Sequence, residues 1–469
     1  MKFGLEQHII DNLIAVFEQN SKVDKALVFG SRAKGNYRPD SDIDIAIKGQ
    51  ELNTDDIIAM SVAFEEKGIT QKIDLINYDT IKEPDLKSHI NRVGIELYSR
   101  WKEVKLGDVL EIKYGKDHKQ LNEGNIPVYG SGGIMRYGDK ALYDRKSILI
   151  PRKGSLNNIF YKEEPFWTVD TMFWTKINEG KVYPKFLFYQ LTTVDYSNLN
   201  VGSAVPSLTV PVIEAIDISL PPIEDQTAIA TILSSLDDKI NLLHRQNKTL
   251  EQLAETIFRQ WFVEEAEESW EEKKLGDLLT ITSSKRIFYS EYVSFGIPFY
   301  RSKEIIELRK SGSTNSELYI SKERFDEINN KFGSPKEGDI LMTSVGTLGV
   351  AYRVRKSDKF YFKDGNLTWF KDFKGLPSSI IYLWLISKIG QEELAAITIG
   401  STQEALTIEG LKSISFKIPP REKIKDYEIE FNSIIEKMEF NQHQIRTLTQ
   451  TRDALLPKLM SGEVRVSEL

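Results

Sequence analysis

Seam positions recur in alternating steps of four and three through Ile229, Leu233, Leu236, Ile240, Leu243, Asn247, Leu250, Ala254, Ile257 and Trp261. The pattern returns 198 residues later through Tyr427, Phe431, Ile434, Met438, Asn441, Ile445, Leu448, Arg452, Leu455 and Leu459. That spacing predicts a narrow apolar seam on each of two long helices, the kind that winds around a partner helix. Mostly polar residues between seam positions, as in "DDKINLLHRQNKTLEQ", favour each helix as the other's partner. Both are entered through Pro-Pro (221–222 and 419–420), which a first helical turn accepts because its N–H groups lack helical partners anyway. An antiparallel pair would set the preceding segments at opposite ends about a pseudo-twofold axis. A helix from Gln226 to Phe262 spans roughly 50–55 Å at about 1.5 Å per residue.

Those preceding segments are themselves a repeat. "WKEVKLGDVLEI" (101–112) returns as "WEEKKLGDLLTI" (270–281), and "IPVYGS" (126–131) as "IPFYRS" (297–302). "SILIPRKGSL" (147–156) matches "DILMTSVGTL" (339–348), "VGSAVPSLTV" (201–210) matches "IGSTQEALTI" (399–408), and "ISLPPIE" (218–224) matches "FKIPPRE" (416–422). Short β-type runs broken by Gly, Asn and Pro predict a β-rich α/β globule in each copy. The organisation is therefore 101–222 globule, 223–266 helix, 267–420 globule, 421–469 helix. Two globules held apart by a helix pair suit two half-sites on one face of DNA, here supplied by one chain.

Ahead of the repeat, residues 1–100 open with an amphipathic helix and then alternate as strands. "KALVFG" reads as a strand ended by a tight turn at Gly30-Ser31, and "DIDIAI" as a second strand. Side chains alternate across a strand, so Asp42 and Asp44 share one face while Ile43, Ile45 and Ile47 share the other. "KIDLI" repeats the pattern and turns Asp74 to the carboxylate side. Adjacent carboxylates repel, and a cation between them is the simplest compensation; oxygen ligands favour Mg²⁺. Three such acids can hold two metal ions, one activating an attacking hydroxyl and one steadying a leaving pyrophosphate. The Gly30-Ser31 turn offers N–H groups and a hydroxyl to a triphosphate, and Arg32 and Lys34 offer positive charge.

Composition narrows the chemistry. The 469 residues contain no cysteine and five histidines, which excludes disulfides and thiolate zinc and argues against a histidine metal centre. No apolar run approaches the roughly 20 residues of a membrane span, and the expected location is the cytoplasm. Net charge is −7, with the acidic excess in residues 1–100 (13 basic against 17 acidic) and 223–269 (four basic against ten acidic). Residues 101–222 (15 basic against 14 acidic) and 270–420 (22 against 19) are slightly basic, which permits DNA binding through local patches.

Residues 101–469 resemble the specificity subunit of type I restriction–modification systems: "W-x-x-x-K-L-G-D" opens each globule, Ile/Leu-Pro-Pro enters each helix, and "LLPKLMSGEVRV" (455–466) is similar to that family's closing segment. The resemblance implies two target-recognition domains reading a bipartite, asymmetric site on double-stranded DNA. It also implies two modification subunits that methylate adenine with S-adenosylmethionine, and motor-nuclease subunits. No Asn/Asp-Pro-Pro-Tyr/Phe methyltransferase motif and no Walker A pattern occur in the chain, so that chemistry is expected from partners. Residue types that contact phosphates and base edges cluster in four loops. In the first globule these are Arg136 and Tyr137, then Arg152, Lys153, Asn157 and Asn158; in the second, Lys285, Arg286 and Tyr289, then Arg301 and Lys303.

Residues 1–100 resemble the minimal nucleotidyltransferases of the DNA polymerase beta superfamily, through Gly30-Ser31, Asp42-x-Asp44, Asp74 and the closing "LKSHINRVGIELY" (86–98). That implies Mg²⁺-dependent transfer of AMP from ATP to a hydroxyl; in the antitoxin branch the acceptor is a toxin's tyrosine, and here the acceptor is open. The fold class expected is α/β multidomain: a small α/β domain, two β-rich α/β globules and two long helices in an antiparallel coiled coil. The alternatives are a nucleotidyltransferase whose repeated body recruits substrate, and a scaffold that binds no DNA.

Overall fold

The computed structural model describes residues 2–200, 206–312, 314–400 and 404–466. The glycine-serine ends of one repeated block (201–205 and 401–403) lie outside them. The chain divides into two compact units, Met1–Ser234 with Leu455–Leu469, and Ser235–Ala454.

In the first unit, β1 (Val23–Val28), β2 (Ile43–Gly49), β3 (Ile73–Asn77) and β4 (Ile95–Ser99) form one sheet in the order β3-β2-β1-β4, with β2 and β3 parallel. Ile43, Ile45 and Ile47 are fully buried against α1 (Gln7–Gln19) and α3 (Thr54–Glu66), which supply Leu13, Phe17, Met60 and Phe64 to the same cluster. α3 begins at a reciprocal cap: the Asn53 side chain accepts from the Asp56 N–H, and the Asp56 carboxylate from the Asn53 N–H. The turn expected at Gly30-Ser31 is instead a short helix, α2 (Gly30–Lys34). α4 (Pro84–Val93) covers the sheet's second face through Ile90, beside Phe29 and Ala46.

This domain is fastened to the rest of its unit by charge. Arg465, beyond the last helix, donates to the carbonyls of Ser21 (2.8 Å) and Lys22 (3.1 Å) and pairs with Asp24. Arg100 reaches Asp225 at 2.9 and 2.7 Å and the same Ser21 carbonyl. Burial pushes the Asp24 carboxyl above its ordinary range, against the pull of Arg465.

The first globule follows, with β5 (Lys102–Lys105), β6 (Leu110–Tyr114), β7 (Ile126–Gly130), β8 (Gly133–Gly138), β9 (Ser147–Pro151), β10 (Phe160–Lys162), β11 (Trp167–Thr168), β12 (Met172–Ile177) and β13 (Asp217–Leu220). Its sheets run β10-β9-β12-β6, β11-β7-β8 and β13-β5. Helices α5 (Pro184–Thr192) and α6 (Val210–Glu214) close a core around Ile148, Ile150, Phe173 and Phe186. Ile229 and Leu233 of α7 (Ile223–Arg259) enter that core together with Leu459 and Met460.

The second globule lies wholly in the other unit. Its strands are β14 (Glu271–Lys274), β15 (Thr280–Thr282), β16 (Tyr292–Val293), β17 (Ile297–Tyr300), β18 (Tyr319–Ile320), β19 (Ile340–Thr343), β20 (Ala351–Arg353), β21 (Tyr361–Phe362), β22 (Leu367–Lys371) and β23 (Ser415–Ile418). Its sheets run β15-β22-β19-β20, β16-β18-β17-β21 and β14-β23. Helices α8 (Leu275–Leu278), α9 (Ser302–Ser311), α10 (Lys322–Phe332), α11 (Ser378–Ile386), α12 (Lys388–Ala396) and α13 (Ile408–Ser413) complete it, before α14 (Arg421–Met460).

Within this unit α7 and α14 pack antiparallel. Trp261 stacks on Tyr427 (4.1 Å between ring centres), Asn247 meets Asn441, and Ile240 and Leu243 pack with Ile445. Arg452, a seam position, instead binds Asp237 at 2.7 Å. Asn441 Nδ2 donates to Asn247 Oδ1 (2.9 Å), and Asn247 Nδ2 to the Met438 carbonyl (3.3 Å). Under the 198-residue repeat, Leu243 and Ile445 correspond to Asn441 and Asn247. The helix pair's local twofold thus exchanges an apolar contact with a polar one. A buried amide pair tolerates only the register that joins its members. Replacing both (N247L with N441L) should leave the full chain equally or more resistant to urea while loosening cysteine cross-link register along the pair. N441L alone should cost about 1–3 kcal/mol, because the Asn247 side-chain oxygen is left buried without its donor.

Candidate functional site

The first candidate site is the carboxylate edge of β2 and β3. Parallel pairing sets Asp44 directly beside Asp74. Gly30 has φ +69°, and a Cβ there would lie 2.0 Å from Asp44 Oδ2, so only glycine lets the carboxylate reach this turn. Burial first, then the charges of Asp74 and Asp42, push the Asp44 carboxyl above its ordinary range. Lys72 answers this concentration of negative charge: its Nζ lies 2.9 Å from Asp42 and 3.3 Å from Asp74. Those two carboxylates hold its ammonium above the usual lysine range.

The donor chemistry, three hard oxygen acids with a demand for positive charge, fits a divalent cation. Among the described residues, no three His, Cys, Asp or Glu side chains surround a common metal position, and Lys72 stands between two of the three acids. Ser31 is half-buried and Lys34 exposed on α2. Arg32 departs from expectation. It is 3% exposed, and its guanidinium donates to the carbonyls of Phe3 (3.1 Å), Ser41 (2.7 Å) and Asp42 (3.2 Å). The helical turn from Gly30 directs it under the 38–42 loop, so it positions Asp42 and is not available to neutralise a phosphate. Lys72 was missed by the sequence reading, although its parity with Asp74 on a strand was the available signal.

The second candidate site is the surface of the two globules. In the first, Arg136 is turned back onto the Leu121 and Asn122 carbonyls, at 2.9 and 3.4 Å. Asn157 accepts from the Tyr196 N–H and donates to the Ser197 hydroxyl, and Asn158 donates to the Ser131 carbonyl at 2.8 Å. These asparagines frame a cleft of about 490 Å³ with Gly154, Asn200 and Pro206. Arg152 lies over the Tyr114 ring and donates to the Asp170 carbonyl; Lys153 is exposed, and Tyr137 is 51% exposed.

In the second globule Arg301 binds buried Glu304 and Glu317, which raise its guanidinium further, and Lys303 also binds Glu317. Arg286 pairs with Asp364, and Lys285 lies over the Phe332 ring. Tyr289 stands out, 88% exposed. Exposed Ile134, Met135, Phe288 and Phe295 were not anticipated, because sequence alternation does not tell a surface strand from a buried one. Seven of the eleven residues picked for DNA contact are thus committed to hydrogen bonds or ion pairs within their own globule. Among the described residues, no helix is long and apolar enough to cross a membrane.

Comparison with known proteins fits this arrangement. Residues 98–252 and 267–450 match the type I restriction modification DNA specificity domain, and residues 11–103 match the polymerase beta nucleotidyltransferase domain. The type I restriction enzyme MjaIX specificity subunit of Methanocaldococcus jannaschii is 26% identical over 417 residues, covering 79% of this chain and 94% of that protein. The MjaVIII specificity subunit of the same organism is 22% identical over 415 residues, covering 80% and 96%. The crystal structure of a type I restriction–modification S subunit from M. genitalium superimposes with a TM-score of 0.51 at 16% identity, covering 76% of this chain and 96% of that one, a likeness of fold. The chain belongs to the type I restriction–modification DNA specificity family, with a domain of the polymerase beta nucleotidyltransferase family ahead of its two specificity repeats.

Proposed function

We propose that this chain selects a bipartite, asymmetric DNA target for partner adenine-methylating and motor-nuclease subunits in the cytoplasm, with S-adenosylmethionine bound by the methylating partner. The observation that carries this reading is one scaffold built twice, on two helices that pair, in a chain matched along both copies by the DNA specificity domain. Two related but unequal readers require two unequal half-sites. The test is a map of methylated adenines in cells making the chain with its modification subunit, against cells making that subunit alone. A split motif that needs the chain is expected. No motif, with the modification subunit made and folded, would overturn the reading.

We further propose that residues 1–100 transfer AMP from ATP to a hydroxyl. Asp42, Asp44 and Asp74 are the residues that would hold Mg²⁺, which when bound supplies charge neutralisation and hydroxyl activation. Arg32 fixes the loop carrying Asp42, and Gly30 keeps the Asp44 carboxylate at the turn. The acceptor oxygen bonds to the α-phosphorus, the bond from that phosphorus to the bridging oxygen breaks, and pyrophosphate leaves. The hydroxyl proton passes to a carboxylate, Asp74 being the more open at 49% side-chain exposure against 41% for Asp42.

With α-labelled ATP, Mg²⁺ and partner subunits, Asp44→Asn should abolish label transfer. Wild-type protein no better than this variant would sink the proposal. Gly30→Ala should lower transfer about 100-fold by displacing Asp44, with melting temperature checked alongside.

A further inference from the structure

The readers share one scaffold, so the places where they differ locate what each reads differently. Sheet β10-β9-β12-β6 corresponds strand for strand to β20-β19-β22-β15, and β13-β5 to β23-β14. β7 pairs parallel with β11 as β17 does with β21. The repeat offset is 169 at "WKEVKLGD", 171 at "IPVYGS", 192 at "SILIPRKGSL" and 198 at the end. Most of that growth falls in one interval, between Ser131 and Ser147. There the first reader makes a β7–β8 hairpin. The second inserts α9 and brings in β18 as the antiparallel neighbour of β17, followed by α10.

The hairpin's surface is unusual for a strand with no partner beyond it. Ile134, Met135 and Tyr137 are 49%, 59% and 51% exposed. Arg136, between them, is turned onto the Leu121 and Asn122 carbonyls and offers its outer face little donor capacity. The tip is slim, with Gly132 and Gly133 facing open space. With the two-residue β11 on its far side, the β7–β8 hairpin presents β8 as an outer edge, and a β-ribbon fits the B-DNA major groove, about 12 Å wide, where apolar side chains read the thymine 5-methyl group. Exposed Lys140 and Arg145 follow in the connection to β9, as phosphate contacts require.

We propose that the β7–β8 hairpin is the specificity-determining element of the first reader, and that Ile134, Met135 and Tyr137 recognise thymine methyl groups in its half-site. The inference rests on the DNA-reading function proposed above. The segment α9–β18–α10 is the corresponding element of the second reader, and its different build is what makes the target asymmetric.

The test uses the full chain with its modification subunit. In the adenine methylation map, I134S/M135S/Y137S should relax or change one half of the split motif and leave the other half and the gap intact. Both halves unchanged would overturn the inference. Should that variant fail to fold, wild-type complex decides the matter on duplexes with uracil replacing thymine in one half at a time. Affinity should fall about three- to fivefold per methyl lost in one half, with no comparable loss in the other. No loss in either half would overturn the proposal. A wild-type chain that yields no motif removes the DNA-reading function itself, an outcome distinct from an intact motif that ignores the hairpin.

Discussion

Two buried amides facing each other, Asn247 and Asn441, hold the alignment on which the second unit depends. The reader in that unit has small clusters of its own around Phe362 and Phe299, but its main core is shared with the helices. Phe258 and Phe262 of the α7 end, with Tyr427 and Phe431 of α14, belong to the same cluster as Leu275, Leu279 and Trp384. A slip of one helix past the other would therefore pull large side chains out of the reader as well as out of the seam. A purely apolar seam would tolerate such slips at modest cost, whereas a buried amide separated from its partner loses on the order of 1–3 kcal/mol. Specificity of register is obtained at some expense of stability, visible in the Asn441 side-chain oxygen (Oδ1) that finds no partner.

The first unit solves attachment differently. Its first domain has a complete core of its own, from Leu13 and Phe17 to the isoleucines of β2. What binds it to the rest of the unit is two arginine contacts: Arg465, beyond α14, on the Ser21–Asp24 turn, and Arg100 of the domain itself on Asp225 of α7. The turn leads straight into β1, whose far end presents Gly30 to Asp44. Partly buried pairs of this kind cost more to break by removing one member than to replace together, since a lone charge is left behind. The small domain is therefore docked on its neighbour and not merely tethered to it.

What was legible in the sequence was what repeats or alternates locally. The 4-3 pattern placed every seam position from Ile229 to Trp261 at a buried or half-buried site, and strand parity put Asp42, Asp44 and Asp74 on one face. The reading failed where a side chain's role depends on which backbone carbonyl or carboxylate lies across the fold. Arg32 looked like a phosphate ligand because its type and position suited one; the structure spends it on the 38–42 loop. Arg301 and Arg136 looked free for the same reason, and both are occupied by neighbours that no periodicity announces. The Arg465–Asp24 pair, 441 residues apart, lay beyond any local pattern.

The internal repeat supplies the missing information in another way. The central strands of the common scaffold, β9 and β12 in one copy and β19 and β22 in the other, are largely buried and paired on both sides, so a change of length inside them would break register. The edge beside β7 and β17 has no such constraint. Lengthening a surface connection costs little in chain entropy, about 0.6 kcal/mol for each doubling of a flexible loop. A duplicated reader can therefore exchange a two-residue hairpin for two helices at that edge while the sheet behind it stays the same. Divergence concentrates where folding allows it, and an exposed edge is also where a groove-sized ligand can reach. The coincidence of those two conditions, and not the chemistry of any single basic residue, is what singles out the β8 edge from the rest of the reader surface.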